Sequence, residues 1–328
     1  MNKQLTSPCN EKMKMDVTIE SYESTYIPIP VDGFDFPVGA YHINLSQMYM
    51  RMIRWHWHDE VEFIMICSGH AMLKLPDESI ILSPGEGVFI NQNRIHSIRV
   101  CNNEDCSLYA LKFHPSFLFG YGQTNMSTKY LTPILSSPSL HYIVLREEDR
   151  ATFGILKLVK NTLSYYLDKQ YGYELMVKSN LCNIWNQLLP FTRTKIDKAS
   201  HASSQASIDG VRIKQALLYI EKKHMEPLTL DEIANSIHVS KSECCRCFQR
   251  SLGITPFEYL TKFRIFESTR KIMRGDEIAE SISTLAASVG FNSTSYYNKL
   301  FKRYLNCTPN EYKKSLQQET FENPRKLL

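Results

Sequence analysis

Three histidines and one glutamate in the N-terminal half have the residue types and the spacing of a metal or effector site. His56 and His58 lie two residues apart in RWHWHDEVEF, so on a strand they share one face. Glu62 follows four residues after His58, and His96 comes after the turn-rich stretch SPGEGVFINQNRIH. Three imidazoles and a carboxylate suit a transition-metal ion such as Zn, Fe, Ni or Mn. The same groups also suit a metal-free pocket in which they hydrogen-bond one another and an effector.

Short strands are the elements expected to carry these four residues. Between about residues 61 and 113 the apolar residues fall into short runs, separated by turn signals such as Ser68-Gly69 and Pro84-Gly85. Many short strands with regular turns are typical of a sandwich or a small barrel. We therefore predict a β-barrel over residues 41–146, preceded by an N-terminal arm, residues 1–40.

Two helices are predicted to follow the strands, over residues 147–190. Apolar residues recur at helical spacing in both, and Pro190 is expected to end the second because proline lacks the N–H that a helix interior needs. These helices either pair across a dimer or pack only on their own domain. Residues 191–207, which include the polar stretch ASHASSQAS, are predicted to be a flexible linker.

The C-terminal part contains one segment twice. FQRSLGITPFEY at 248–259 and FKRYLNCTPNEY at 301–312 are identical at seven of twelve positions, at an offset of 53. Similarity at a fixed offset indicates a duplicated structural unit. Upstream of each copy the sequence predicts a short helix, a turn and a second helix, which together form a helix-turn-helix. Expected N-caps are Thr229 and Ser240 in the first copy and Asn292 or Ser293 in the second.

The exposed face of each second helix carries side chains suited to DNA. Hydroxyl and basic groups on one outward face can contact base edges and phosphates in a major groove. Solvated charge on an ordinary helical bundle is the alternative, but the duplication favours DNA. The candidate contact residues are Ser242, Cys245 and Arg246 in the first copy, and Ser295, Tyr296, Lys299, Lys302 and Arg303 in the second.

Residues 208–315 resemble the DNA-binding domain of the AraC/XylS family of bacterial transcription regulators. The matching signatures are LTLDEIANSIHVS, CFQRSLGITPFEYLTKFR and LAASVGFNSTSYYNKLFKRYLNCTPNEYK. The resemblance implies two helix-turn-helix units bridged by a long helix at about residues 257–274, with recognition helices in successive major-groove segments about 34 Å apart. Ser268 departs from the family, which usually has Ala in the bridging helix. The resemblance further implies that the N-terminal barrel is a cupin whose four candidate residues match the metal positions of enzymatic cupins.

Charge and cysteine content indicate the partners and the compartment. Residues 208–328 contain 19 Lys and Arg against 14 Asp and Glu, a balance of +5, whereas residues 1–207 contain 19 against 20. The positive balance therefore coincides with the predicted DNA-binding domain. The N-terminus predicts no signal peptide, and no stretch is apolar enough to span a membrane. Nine cysteines at irregular spacing favour a reducing cytoplasm over a disulfide framework.

Together these patterns predict an α+β protein of two domains: a cupin-like β-barrel with linker helices, and an all-α domain with two helix-turn-helix units. The domain at 208–315 is followed by a tail, residues 316–328. We predict a non-enzymatic, cytoplasmic, homodimeric regulator that binds double-stranded DNA and a small effector, with a sugar as the default and RNA polymerase as a further partner. His56, His58, Glu62 and His96 are assigned to the effector, without a metal or other cofactor. The alternatives are a metal-dependent cupin enzyme fused to a DNA-binding domain, and a redox regulator that uses Cys245.

Overall fold

The computed structural model describes residues 36–76, 78–102, 104–120, 124–137, 140–194, 203–276, 279, 281–305 and 307–314. The chain forms two compact units, Met1–Ile208 and Asp209–Leu328. The first 35 residues of the predicted arm and the whole predicted tail lie outside the described residues. The first unit contains the strands and the second is helical, so the predicted α+β architecture of two domains is confirmed.

Nine strands in the described part of the first unit form two antiparallel sheets. The five-stranded sheet has the order β1-β8-β3-β6-β9, and the four-stranded sheet has the order β2-β7-β4-β5. The two sheets face each other across a shared core, which is the sandwich form of the predicted barrel. The strands are β1 Val38–Asn44, β2 Met52–His56, β3 Val61–Ser68, β4 Ala71–Lys74, β5 Ser79–Leu82, β6 Gly87–Ile90, β7 His96–Val100, β8 Ser107–Phe113 and β9 Tyr142–Leu145.

The five-stranded sheet is buried on both faces. On one face Ile64 and Val88 pack in the same cluster as Ile98 of the other sheet. On the opposite face Phe63 and Phe89 pack beneath two helices. This double burial explains why the run VEFIMI is apolar on both faces except at Glu62, instead of alternating with polar residues.

The helices that cover the sheet are α3 Phe153–Asp168 and α4 Tyr173–Thr194, which follow the short helices α1 Ser116–Phe119 and α2 Thr132–Leu135. The prediction that Pro190 ends the second helix is wrong, because α4 continues for one further turn. Proline removes one backbone hydrogen bond, but Trp185 and Leu188 in the preceding turns are fully buried and hold the helix in place.

Six helices form the described part of the second unit, and the first of them begins six residues before the unit boundary at Asp209. They are α5 Ser203–Lys223, α6 Leu230–Ser236, α7 Lys241–Leu252, α8 Pro256–Met273, α9 Ile282–Ser288 and α10 Thr294–Leu305. Helix α8 is the predicted bridge between the two helix-turn-helix units, α6–α7 and α9–α10. The linker predicted at 191–207 is shorter than expected, because α4 extends to Thr194 and α5 begins at Ser203. Residues 195–202 lie outside the described residues.

The bridging helix α8 is anchored by hydrogen bonds at its first turn and again towards its C-terminal end. Thr255 caps its first turn, and the carboxylate of Glu258 accepts a hydrogen bond from the Thr255 N–H in return. Further along, the hydroxyl of Tyr297 on α10 lies 3.1 Å from the Ser268 hydroxyl in the buried interface. Serine at this position therefore satisfies a buried phenol that alanine would leave without this partner. Across the described residues, no helix has the length and apolar character needed to cross a membrane.

Candidate functional site

The structure brings the four predicted effector residues together in the first unit. His56 ends β2, His58 lies in the loop that follows, Glu62 lies on β3 and His96 begins β7. One ligand atom from each residue lies within 4.8 Å of the others, and all four residues are at most 3% exposed. We call these residues the His–Glu cluster. They come from three strands in two facing sheets and from one loop, so only the folded sandwich assembles them.

Backbone carbonyls fix how the three imidazoles point. The Nδ1 atoms of His56, His58 and His96 lie 2.8–2.9 Å from the carbonyl oxygens of Arg54, Glu60 and Arg94. A carbonyl oxygen only accepts, so each Nδ1 must be the donor. In the neutral imidazole the Nε2 atom then has a lone pair and no proton. Carbonyl bonding at one ring nitrogen is also how proteins orient histidines that bind metal through the other.

The carboxylate of Glu62 lies where the Nε2 atoms point. Its Oε2 is 3.2 Å from His58 Nε2 and 3.0 Å from His96 Nε2, and the Nε2 of His56 has no hydrogen-bond partner. If the imidazole is neutral with its proton on Nδ1, its Nε2 lone pair faces a carboxylate oxygen. Both atoms are hydrogen-bond acceptors, and no proton lies between them. Moving the proton to Nε2 only transfers the conflict to the backbone carbonyl.

Lys112 is a fifth member of the site that the sequence analysis missed. Its ammonium lies 3.2 Å from Glu62 Oε1, and the side chain is 1% exposed. A lysine inside the apolar run SLYALKF is the signal that could have identified it, because a buried lysine needs an anionic partner. Glu62 thus uses one oxygen for Lys112 and directs the other towards the imidazoles.

The lowered pKa values of His56 and His58 favour neutral imidazoles beside an ionised Glu62. Burial and the Lys112 ammonium lower the pKa of His58 from 6.5 to about 4. Burial and the neighbouring His96 and Lys112 lower the pKa of His56 well below 6.5. Burial alone would raise the pKa of Glu62, but Lys112 and the contacts with His58 and His96 hold it well below 4.5.

The donor set fits a transition-metal ion. Three imidazole nitrogens and one carboxylate oxygen lie within 4.8 Å of one another, and a cation among them would resolve the conflict between facing acceptors. Imidazole nitrogen with carboxylate oxygen suits Zn²⁺, Fe²⁺, Ni²⁺ or Mn²⁺. A bound ion would supply a Lewis-acidic centre at which a small ligand could bind.

In the second unit both recognition helices begin as predicted. Thr229 caps α6, Ser240 caps α7, and the Ser293 hydroxyl accepts from the N–H of Tyr296 in the first turn of α10. The turns match as well. The first helices of the two copies, α6 and α9, align at an offset of 52, which pairs His238 with Gly290. Gly290 has a φ of +90°, and His238 also has a positive φ of 54°. The two turns therefore share a positive backbone φ at this position, although the residue is Gly in one copy and His in the other.

The first recognition helix, α7, presents Ser242 and Arg246 to solvent and leaves Cys245 half-buried. Cys244, Cys247 and Phe248 form the predicted buried stripe. Arg246 does not extend freely, because its guanidinium pairs with Glu243 one turn earlier at 2.8 Å. Glu243 was missed as a functional candidate because the outward positions were chosen by spacing alone.

The second recognition helix, α10, exposes all five residues predicted to contact DNA: Ser295, Tyr296, Lys299, Lys302 and Arg303. Within the described residues, none of the three cations has a carboxylate at ion-pair distance. The position equivalent to Cys245 at the offset of 53 is Asn298, which is also exposed and was missed. Asparagine can bond an adenine edge through two hydrogen bonds, so it belongs with the candidates.

Comparisons with known proteins agree with this division. A family model described as an AraC-like ligand binding domain matches residues 39–165, and a helix-turn-helix domain model matches residues 233–315. The chain is 30% identical to the uncharacterized HTH-type transcriptional regulator YdeC of Bacillus subtilis, over 85% of this chain and 92% of that protein. It is 24% identical to RclR of Escherichia coli, an RCS-specific HTH-type transcriptional activator, over 82% and 87%.

A solved structure of ToxT from Vibrio cholerae with a bound unsaturated fatty acid is 16% identical, covering 84% of this chain and 94% of that one, with a TM-score of 0.40. The family models and the match to YdeC span both units of the chain. They establish an N-terminal domain that binds a small-molecule ligand and a C-terminal domain that binds DNA. The chain belongs to the AraC family of transcriptional regulators.

Proposed function

We propose that this regulator senses its effector at the His–Glu cluster, and that a divalent transition-metal ion held by these four residues is part of the sensing site. The observation that supports the proposal is that one ligand atom from each of the four residues lies within 4.8 Å of the others, with Glu62 Oε2 within 3.2 Å of the Nε2 atoms of His58 and His96. This revises the metal-free pocket expected from the sequence.

A sugar effector, the default from the sequence, stays a prediction. Sugar hydroxyls could donate to the imidazole lone pairs, since each is a hydrogen-bond donor. However, the ligand atoms of the cluster lie within 4.8 Å of one another, and this spacing suits one central atom better than a sugar ring. A sugar would have to bind beside the cluster and not at its centre.

Metal analysis of the purified chain tests the metal. The wild type should contain close to one equivalent of a transition metal after exposure to Zn²⁺, Ni²⁺, Mn²⁺ or Fe²⁺, and Glu62→Gln should contain much less. Glu104→Gln makes the same chemical change in the same unit, at a surface carboxylate that pairs with His70, and should keep the metal. Metal-free wild type after all four exposures would refute the proposal.

Glu62→Gln also separates sensing from DNA binding. We expect the variant to lose its transcriptional response to effector while its basal affinity for DNA stays nearly unchanged, because residue 62 and the recognition helices belong to different units. A loss of basal affinity in Glu62→Gln but not in Glu104→Gln would argue that the cluster has a role other than sensing.

We propose no catalytic role for the cluster. The relatives are named as transcriptional regulators, and effector sensing needs binding without turnover. The alternative of a cupin enzyme fused to a DNA-binding domain predicts multiple turnovers of a candidate effector by the metal-loaded chain. The redox alternative predicts oxidant-dependent DNA binding that Cys245→Ser abolishes.

We propose that the regulator acts as a cytoplasmic homodimer through α3 and α4, with RNA polymerase as a further partner. Leu175 on α4 is 73% exposed, and Tyr171 and Met176 beside it are exposed as well. An apolar group of this kind supports a protein contact. Sedimentation velocity of Leu175→Glu should show monomer where the wild type shows dimer, and a monomeric wild type would remove the dimer from the proposal.

A further inference from the structure

A chain of ion pairs links the first recognition helix, α7, to helix α5. Arg250 Nε lies 2.8 Å from Asp209 Oδ2 on α5, and Arg250 Nη2 lies 2.7 Å from Glu243 Oε1. The other oxygen of Glu243, Oε2, accepts from Arg246 Nε at 2.9 Å and from Arg246 Nη2 at 2.8 Å. Each oxygen of Glu243 therefore serves a different arginine.

The position of Glu243 is fixed from two sides. Its backbone N–H donates to the capping hydroxyl of Ser240, so the residue sits in the ordered first turn of α7. Its carboxylate is held through Arg250 by Asp209, which is 4% exposed. A single exposed ion pair restrains a side chain weakly, whereas a network anchored at a buried carboxylate restrains it more.

The contact with Glu243 leaves part of the Arg246 guanidinium available for another acceptor. Guanidinium has five N–H donors, and Glu243 accepts only from Nε and from one hydrogen of Nη2. The remaining donors form a fork between Nη1 and Nη2, on a side chain that is 60% exposed. That fork matches the O6 and N7 acceptors of guanine in the major groove.

The negative charge of Glu243 has a second effect. A carboxylate on the groove-facing helix repels phosphates on any DNA, which weakens binding when no base contact compensates. The second unit lacks this arrangement, because the position aligned with Glu243 is Tyr296 and α10 contains no acidic residue. The first helix-turn-helix, α6–α7, thus combines a positioned hydrogen-bond donor with a carboxylate that weakens binding to non-specific DNA.

We propose that Glu243 is the positioning residue that sets the sequence specificity of the first helix-turn-helix, by holding the Arg246 fork for a guanine. The proposal rests on the assignment of Arg246 to a base contact. It predicts that loss of the Glu243 carboxylate raises the affinity for non-cognate DNA and lowers the specificity, the ratio of cognate to non-cognate affinity.

The test measures full-length protein on two duplexes: one selected by the wild type from a random-sequence pool, and a scrambled duplex of equal length and composition. Glu243→Gln should lower affinity for the selected duplex and raise it for the scrambled one, so that their ratio falls roughly 10-fold or more. Glu243→Asp keeps the charge but shortens the reach, and should lower the ratio without raising scrambled binding. Glu226→Gln removes an exposed charge of the same unit that pairs with Lys223, and should leave the ratio unchanged.

Replacing the contacted guanine by 7-deazaguanine locates the effect. The loss caused by Glu243→Gln on the selected duplex should largely disappear on the modified duplex, since the N7 acceptor is already absent. Arg246→Ala should behave in the same way. An unchanged ratio in Glu243→Gln, with Arg246→Ala still lowering it, would overturn the positioning role alone. An unchanged ratio in Arg246→Ala would instead overturn the assignment of the base contact.

Discussion

The two units of this regulator place their charges in opposite environments. In the first unit Glu62 and Lys112 form a buried pair among histidines that are closed off from solvent. In the second unit Lys299, Lys302 and Arg303 stand on the surface of a recognition helix. Buried charges interact strongly and specifically with a few neighbours, whereas exposed charges act weakly and over a longer range that salt screens. The first unit should therefore respond to protons and metal ions, and the second to ionic strength.

The largest effect should come from removing one partner of a buried pair. Lys112→Met leaves Glu62 ionised without its ammonium, and we expect the metal-free first unit to lose about 3–5 kcal/mol of unfolding free energy. Lys241→Met breaks an exposed pair with Asp231 and should cost less than about 1 kcal/mol. Urea unfolding followed by fluorescence and circular dichroism measures both. Equal losses in the two variants would remove the distinction between the units.

Acid should also lower the folding stability of the first unit. The folded pKa of His58, about 4, lies below its ordinary 6.5, so the unfolded chain takes up a proton that the folded chain resists. Stability is therefore complete above pH 6.5 and falls as the pH drops from 6.5 towards 4, by on the order of 3 kcal/mol from this residue. The lowered pKa of His56 adds to this loss of stability. The lowered pKa of Glu62 stabilises the fold above pH 4.5, and that contribution is lost only as the pH falls below 4.5.

Tryptophan fluorescence can follow that change selectively. The three tryptophans, Trp55, Trp57 and Trp185, all belong to the first unit. His58→Gln in the metal-free protein should flatten the dependence between pH 6.5 and 4. A dependence of the same slope in this variant would show that the buried histidine is not its source.

Salt should distinguish the second unit. Neutralising its recognition helix with Lys299→Ala, Lys302→Ala and Arg303→Ala should weaken DNA binding on the order of 100-fold and reduce the slope of log K against log salt by about 3. The charge-conserving variant Lys299→Arg, Lys302→Arg, Arg303→Lys should keep that slope. A neutralised helix with an unchanged slope would mean that these side chains do not contact phosphates.

The smallest expected effect separates two cations of the second unit by role. Arg246→Ala should cost about 1–3 kcal/mol on the selected site and little on scrambled DNA, because a base contact is lost. Lys302→Ala should weaken both DNAs by a similar factor, because a phosphate contact carries no sequence information. Fluorescence anisotropy titrations on the two duplexes measure both variants.

Spacing in the sequence was enough to predict the elements, and the resemblance to cupins was needed to group the distant His96 with His56, His58 and Glu62. Local patterns of this kind follow from the periods of strands and helices, and the caps at Thr229 and Ser240 follow from the same local chemistry. What depends on contacts between distant segments could not be predicted. Lys112 meets Glu62 only because β8 pairs with β3, and the partner of Arg250 lies on another helix.

Pro190 shows the same limit from the other side. The local rule that proline ends a helix is sound, but burial of Trp185 and Leu188 outweighs it in α4. His238 likewise adopts a backbone conformation that its residue type disfavours, because the neighbouring helices fix the turn. In both cases tertiary packing, which a single sequence does not display, decides the local structure.

The enclosure of the His–Glu cluster also has a consequence in time. Residues that are at most 3% exposed exchange a bound species with solvent only when the sandwich opens locally. For a ligand held there, the observed rate of loading should reach a plateau as its concentration rises, at the rate of opening. Release obeys the same limit, so the regulator would keep its signal for some time after the surrounding concentration has fallen.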